Sequence, residues 1–286
     1  MPNQHKTPVI LFRASLAEED EFEACQQHFE TYQYRSQIPE NSVVIGRYSV
    51  LPYYKELVED CAAVGSTLIN SLKQHLWIAD FHWYNSLQEF NWTPKSWTDV
   101  DFCDAPEGNF VVKGATNSKK QDWNTKMFAA SKRDALDIAG ELSNDGLIHG
   151  QDIIYREYVP LQTFEIGING LPFTNEYRFF YLGNHLVSVG YYWSIAEKAE
   201  ERNAHVPEEA FTQAQEIADE ISKQQYTTAF VLDLAQTEEG NWILIEINDF
   251  QMSGLSMIDP AEMYHSLNAV CALRNLGITE YEPLLP

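Results

Sequence analysis

Residues 230–249 read F-V-L-D-L-A, then a short polar turn, then N-W-I-L-I-E-I-N-D. Two carboxylates and an amide interrupt runs that are otherwise apolar. Side chains alternate faces along a strand, so Glu246 and Asn248 project from one face while Ile245 and Ile247 project from the other. With a turn at E-E-G-N (238–241), Asp233 falls on the preceding strand, roughly opposite Glu246. Asp233, Glu246 and Asn248 then form a hard-oxygen set suited to Mg²⁺, which takes few carboxylates and fills its remaining positions with water and substrate phosphates. Three polar residues on a solvated hairpin face give the same pattern. Burying them without a cation or donors, however, would cost on the order of several kcal/mol.

Three further segments carry candidate chemistry. F-V-V-K-G-A-T-N-S-K-K (110–120) is a strand ending in Lys113, followed by a loop with Gly, Thr, Asn and Ser. A strand-end ammonium can point at phosphates and loop amides can cradle them; a simply exposed lysine is the plainer reading. The segment is not a Walker A loop, which needs G-x-x-x-x-G-K-[ST], nor does K-G-A-T match the K-x-D-G of a nucleotidyltransferase. In D-I-I-Y-R-E-Y-V-P-L (152–161) the strand breaks at Glu157-Tyr158-Val159 before Pro160. Such a hinge can offer a carbonyl and an N–H to the edge of adenine, although any strand ending at a proline has this look. In N-E-Y-R-F-F-Y-L-G-N-H-L-V-S-V (175–189), Glu176 and Arg178 share one face, with Tyr177 and Phe179 opposite. An arginine in so aromatic a strand needs an anion, either Glu176 within the sheet or a phosphate.

The elements that must position these groups follow two rhythms. Up to about residue 90 the chain alternates short apolar runs with amphipathic stretches: a strand at 8–12, a helix opened by the S-x-x-E capping box at Ser15 and running to about Tyr34, and a strand at 43–48. A helix with Pro52 at N1 and closed by Gly65 follows, then a strand at 67–70 and a helical stretch towards Phe90. This βαβα order predicts a small parallel sheet. Residues 93–109, rich in Pro, Ser, Asp and Gly, read as a linker or boundary. Beyond it, strands are expected at 110–113, 153–159, 164–168, 177–182, 186–192, 228–234 and 242–248. Gly183-Asn184 forms a tight hairpin, and helices lie at 131–142, 207–224 and from Asp259-Pro260 onward. The fold class is α+β, with an α/β N-terminal lobe at 1–105 and an antiparallel, hairpin-rich unit at 106–286.

Composition narrows the function classes. With 42 acidic against 19 basic residues the formal charge is −23, a surface that repels nucleic acid and anionic membrane. Cys25, Cys61, Cys103 and Cys271 include no C-x-x-C pair, which argues against a zinc ribbon or redox motif and fits free thiols in a reducing cytosol. No signal-peptide core and no apolar run of about 20 residues is present, so a cytoplasmic protein without membrane or nucleic-acid partners is expected. No Ser-His-Asp motif or H-E-x-x-H occurs. His75 and His82 read as partly buried packing residues, and Trp77, Phe81, Trp83 and Tyr84 as core.

A strand lysine, a hinge, an E-x-R strand and an Asp…Glu-x-Asn pair, in that order, resemble the ATP-grasp superfamily over about residues 106–256. The E-Y-R-F-F-Y strand followed by Y-Y-W is similar to a phage and bacterial ATP-grasp group named for one arginine and two lysines. The resemblance implies ATP held between two mainly antiparallel α+β subdomains. Lys113 would bind the α- and β-phosphates, and Glu157, Tyr158 and Val159 would hold adenine through the backbone. Glu165 would meet the ribose hydroxyls, and Arg178 would take the γ-phosphate or an acyl-phosphate. Asp233, Glu246 and Asn248 would ligate Mg²⁺, and Gln251-Met252-Ser253-Gly254 would close over the acceptor. The loop after Lys113 departs from the pattern, carrying only Gly114 where a more glycine-rich flap is common.

The implied reaction is ATP-dependent joining of a carboxylate to an amine through an acyl-phosphate, with Lys113 and Arg178 as catalytic cations. A kinase acting on a small molecule would use the same ATP site, and a non-catalytic nucleotide-binding or interaction protein would share the fold. The acceptor, whether amino acid, peptide or protein terminus, is expected to be read around Arg47, Tyr48 and Asn70.

Overall fold

The runs V-I-L-F and V-V-I-G-R are buried almost throughout, as strands covered on both faces must be. In the computed structural model, which describes residues 8–13 and 19–276, they are β1 (Val9–Phe12) and β3 (Val43–Arg47). Around them lie α1 (Glu19–His28), β2 (Thr31–Tyr32), α2 (Tyr54–Ala63) and β4 (Thr67–Leu68), then α3 (Leu72–Ala79) and α4 (His82–Leu87). The sheet order is β2-β1-β3-β4, parallel throughout as the sequence implied. Ser15 and Glu18, the expected capping box, lie outside the described residues. The first helix ends at His28, short of Tyr34, because the chain turns to add Thr31–Tyr32 as an edge strand. Pro52 sits in the turn before α2 and not at its first position, while Gly65, at φ 70°, follows the helix end as expected.

The stretch at 93–109 is more than a linker. It contains β5 (Ser96–Thr98), which pairs with β8 (Ile153–Glu157). Between them in sequence come β6 (Phe110–Gly114), α5 (Trp123–Lys126), β7 (Phe128–Ala129) and α6 (Lys132–Leu142), giving an antiparallel sheet ordered β5-β8-β6-β7. Ser131 caps α6 by accepting the Asp134 N–H. The helix lays Ala135, Ile138, Ala139 and Leu142 on the sheet.

The remaining elements are β9 (Thr163–Ile166), β10 (Pro172–Thr174), β11 (Glu176–Leu182), β12 (His185–Tyr191), α7 (Ala199–Asn203) and α8 (Glu208–Lys223). They are followed by β13 (Ala229–Gln236), β14 (Trp242–Asp249) and α9 (Pro260–Leu276). The central antiparallel sheet is ordered β12-β11-β13-β14. One face packs Phe179, Tyr181, Phe230 and Leu232 against the alanine-rich side of α8. The other packs Phe180, Leu182 and Val231 against α9 and against Ile10 and Phe12 of the N-terminal sheet. The N-terminal lobe therefore shares one apolar core with the central sheet. All four cysteines are free, and burial pushes the Cys25 thiol up to about 11.

Candidate functional site

Register carries the polar cluster. Asp233 pairs directly with both Arg178 on β11 and Glu246 on β14. The Arg178 Nε and Nη2 donate to Asp233 Oδ1 and Oδ2, each at 2.8 Å, a bidentate pair buried in the sheet. The sequence offered Glu176 or a phosphate as its anion; the partner is instead the carboxylate across the strand. Burial works against the guanidinium, yet the Asp233 charge outweighs it and holds Arg178 above its ordinary pKa. Asn248 Nδ2 donates to Asp233 Oδ2 at 3.0 Å and to Glu246 Oε2 at 3.3 Å. From the second sheet, the Lys113 ammonium reaches Glu246 in a buried ion pair. Burial, with Arg156 and Lys120 nearby, pushes that ammonium well down.

This cluster lies where two hollows meet. A cleft of about 570 Å³ is lined by Arg178, Glu246 and Asn248, by loop residues 116–122, and by Met252, Ser253 and Gly254. A narrower pocket of about 110 Å³ is lined by Lys113, the hinge Glu157, Tyr158 and Val159, and apolar walls including Val111, Met127 and Ile245. Glu246 and Lys120 border both. At the hinge, the N–H groups of Glu157 and Tyr158 are taken by the Lys95 and Asn109 carbonyls. The Val159 N–H has no acceptor among the described residues, as a donor awaiting a ring edge would.

Glu165 is not brought to either hollow. Its carboxylate accepts the Glu197 N–H at 2.8 Å, whereas Thr163, two residues earlier on β9, lines the pocket. The expected acceptor determinants are also placed elsewhere. Arg47 is buried against Glu21 at 2.6 Å and donates to the Phe250 carbonyl. Tyr48 meets Arg35, and Asn70 is wholly buried between the lobe and β13. The N-terminal lobe faces the cleft instead with Ser49, Leu51, His75, Ile78 and Ala79. His75, buried as read from sequence, is stacked on Tyr54 with centroids 3.7 Å apart, and its Nδ1 lies 2.9 Å from Asp249 Oδ2. His82, by contrast, is exposed.

One site residue escaped the sequence reading. Lys120 folds back from the loop after β6 so that its ammonium bonds the Tyr192 hydroxyl and lies 4.1 Å from that ring's centroid. Burial pushes it down, but Tyr192 and Glu176 together raise it above its ordinary value. The K-K doublet in 110–120 was its only signal. Gln151 anchors the same loop by accepting the Thr116 and Asn117 N–H groups, a side-chain tether in place of glycine-rich flexibility.

The donor set fits Mg²⁺ better than a metal caged by protein alone. Among the described residues no group of three or more His, Cys, Asp or Glu side chains converges. Two carboxylates and an amide leave most positions to phosphate oxygens and water, the arrangement Mg²⁺ favours.

The fold is shared with solved structures of low sequence identity. D-cycloserine synthetase DcsG aligns at TM-score 0.60 and 13% identity, covering 93% of this chain and 100% of its own. A RimK domain ATP-grasp protein from Sphaerobacter thermophilus DSM 20745 gives 0.57 and 12%, covering 92% and 98%. D-alanyl-alanine synthetase A from Vibrio cholerae O1 biovar eltor str. N16961 gives 0.53 and 12%, covering 96% and 99%. No curated protein matches in sequence. Residues 100–267, more than half of the chain, match a family model described as an ATP-grasp domain, family 3 of its clade, and the chain belongs to that ATP-grasp family.

Proposed function

We propose that the protein is an ATP- and Mg²⁺-dependent ligase that joins a carboxylate to an amine through an acyl-phosphate, with the nucleotide in the narrow pocket and the acceptor in the wide cleft. The observation that carries this reading is the junction itself. Lys113, Arg178, Lys120, Asp233, Glu246 and Asn248 meet where the two hollows touch, so cations and carboxylates face the place where a γ-phosphate would lie. The structural relatives with this fold bear the names of synthetases and, in one case, a ligase complexed with Mg and ADP.

A carboxylate is a poor electrophile at neutral pH, and phosphorylation turns it into one that an amine can attack. The protein's share of that reaction is positioning and charge neutralisation. Lys113, paired with Glu246 here, is placed to exchange that carboxylate for the α- and β-phosphates. Arg178 and Lys120 border the cleft and neutralise charge on the transferring phosphoryl group. Asp233, Glu246 and Asn248 would hold Mg²⁺, which supplies Lewis-acid charge at the phosphate oxygens. Val159 offers its N–H to the adenine edge. Glu165, already bonded to Glu197, has no part in this reading. The lobe at 1–105 supplies Ser49, Leu51 and His75 to the cleft and so bears on acceptor choice, for a small molecule or a peptide end.

The test is ADP release from ATP and Mg²⁺ in the presence of pooled amino acids and short peptides, followed by mass analysis. Stimulated release with a condensed product supports the ligase. A stable phosphorylated product would make the protein a kinase, and no ADP release with any pool would remove the ligase reading.

A further inference from the structure

Arg156 precedes the hinge on β8 and has 6% of its surface exposed. Its Nη1 donates to the Ile245 carbonyl on β14, and its Nε reaches Ser96 Oγ on β5 at 3.4 Å. Those contacts clamp the guanidinium plane between two strands. The third nitrogen, Nη2, is buried and has no hydrogen-bond partner, yet Arg156 lines the narrow pocket. An unpaired buried donor costs about 1–3 kcal/mol, more when charged, and burial depresses this guanidinium to about 10. The nearby carboxylate, Glu176, already accepts from the Thr174 hydroxyl. A donor held rigid, dry and unpaired in a ligand pocket is a group kept for a ligand acceptor.

Position narrows which acceptor. Arg156 follows Ile154, which pairs with Lys113, and pairs itself with Val111, so one sheet face runs from Lys113 past Arg156 to the hinge. A nucleotide with its phosphates at Lys113 and its Watson–Crick edge at Val159 turns its remaining ring edge towards Arg156. On that edge a purine carries N7, an acceptor that pyrimidines lack. We propose that Arg156 Nη2 donates to N7 and makes the pocket selective for purine nucleotides, an inference that rests on the nucleotide reading above.

The test is calorimetric titration of ADP and of 7-deaza-ADP, each with Mg²⁺, into the wild-type protein and into Arg156→Met. In the wild type, 7-deaza-ADP is expected to bind at least about tenfold more weakly, the worth of one charge-assisted hydrogen bond. In Arg156→Met the two nucleotides bind alike. Equal affinities in the wild type overturn the assignment, as does a 7-deaza penalty that survives in Arg156→Met, which would give N7 to another donor such as Lys113. Should that variant not fold, Arg156→Lys replaces it; its single ammonium, drawn to the Ile245 carbonyl, is expected to shrink the penalty. If neither nucleotide binds the wild type, the nucleotide reading itself falls, an outcome distinct from equal binding of both.

Discussion

Replacing Asn70 separates a residue that locks the lobe to the sheet from one that reads the acceptor. Its Oδ1 accepts the Ala229 N–H at 2.8 Å, the Thr228 N–H at 3.1 Å and the Thr227 hydroxyl at 3.2 Å. Its Nδ2 donates to the Ala229 carbonyl at 2.7 Å and to Asp249 Oδ1 at 3.2 Å. Asn70→Ala leaves the Ala229 N–H and C=O without this side chain in a fully buried setting, together with three further polar groups. At about 1–3 kcal/mol for each buried group left unsatisfied, and allowing for water entering the space, the loss is about 3–5 kcal/mol. For a chain of this size that lowers Tm by about 8 °C. Asn70→Asp keeps the shape but sets a carboxylate against Asp249, and is expected to be at least as damaging. Urea denaturation of both variants measures the loss. A change below about 1 kcal/mol in Asn70→Ala would refute the account of these hydrogen bonds and return Asn70 to the candidate acceptor contacts.

Two other substitutions probe burial and packing. Burial raises the Glu176 carboxyl above its usual 4.5, with Lys120 opposing the shift. The wild type therefore carries a penalty that is full above the raised pKa and vanishes as pH falls towards 4.5. Glu176→Gln is expected to be more stable than wild type at pH 8, with the gap closing by pH 5; a constant gap in thermal melts would show that no ionisation is involved. Ala214 on α8 is fully buried against the central sheet, so Ala214→Leu is expected to cost about 1–3 kcal/mol by overpacking. A neutral result in urea would mean the helix stands off the sheet further than described.

What the sequence disclosed, and what it did not, divides along range of interaction. The two-residue period of a strand put Glu246 and Asn248 on one face, and the hairpin turn put Asp233 beside them, because both are local consequences of chain geometry. Strand order is not local. Arg178 pairs with Asp233 because β11 lies next to β13, and nothing within 175–189 announces that neighbour. His75 and Asp249 are 174 residues apart, and Lys120 enters the site only through the path of a loop tied down by Gln151. Arg47 and Asn70 misled for the same reason: a polar residue at a strand end looks available until the elements that bury it are in place. The strand Ser96–Thr98 is too short, and too close to Pro94, to stand out from its Pro- and Ser-rich surroundings. Glu165 lies on the expected β9, but its carboxylate is claimed by the backbone at Glu197.

Calorimetric titration of ATP into the wild type and into Glu246→Gln, with and without Mg²⁺, tests most directly whether the junction of the two hollows is a nucleotide–metal site. Glu246 borders both hollows and bonds Lys113 and Asn248, so its neutralisation removes one carboxylate from the donor set while keeping the side chain's shape. Wild-type binding is expected to strengthen on adding Mg²⁺, and that Mg²⁺-dependent gain is expected to fall at least about tenfold in Glu246→Gln. ATP binding that ignores both Mg²⁺ and the substitution, or no binding by the wild type, would contradict the assignment of this site.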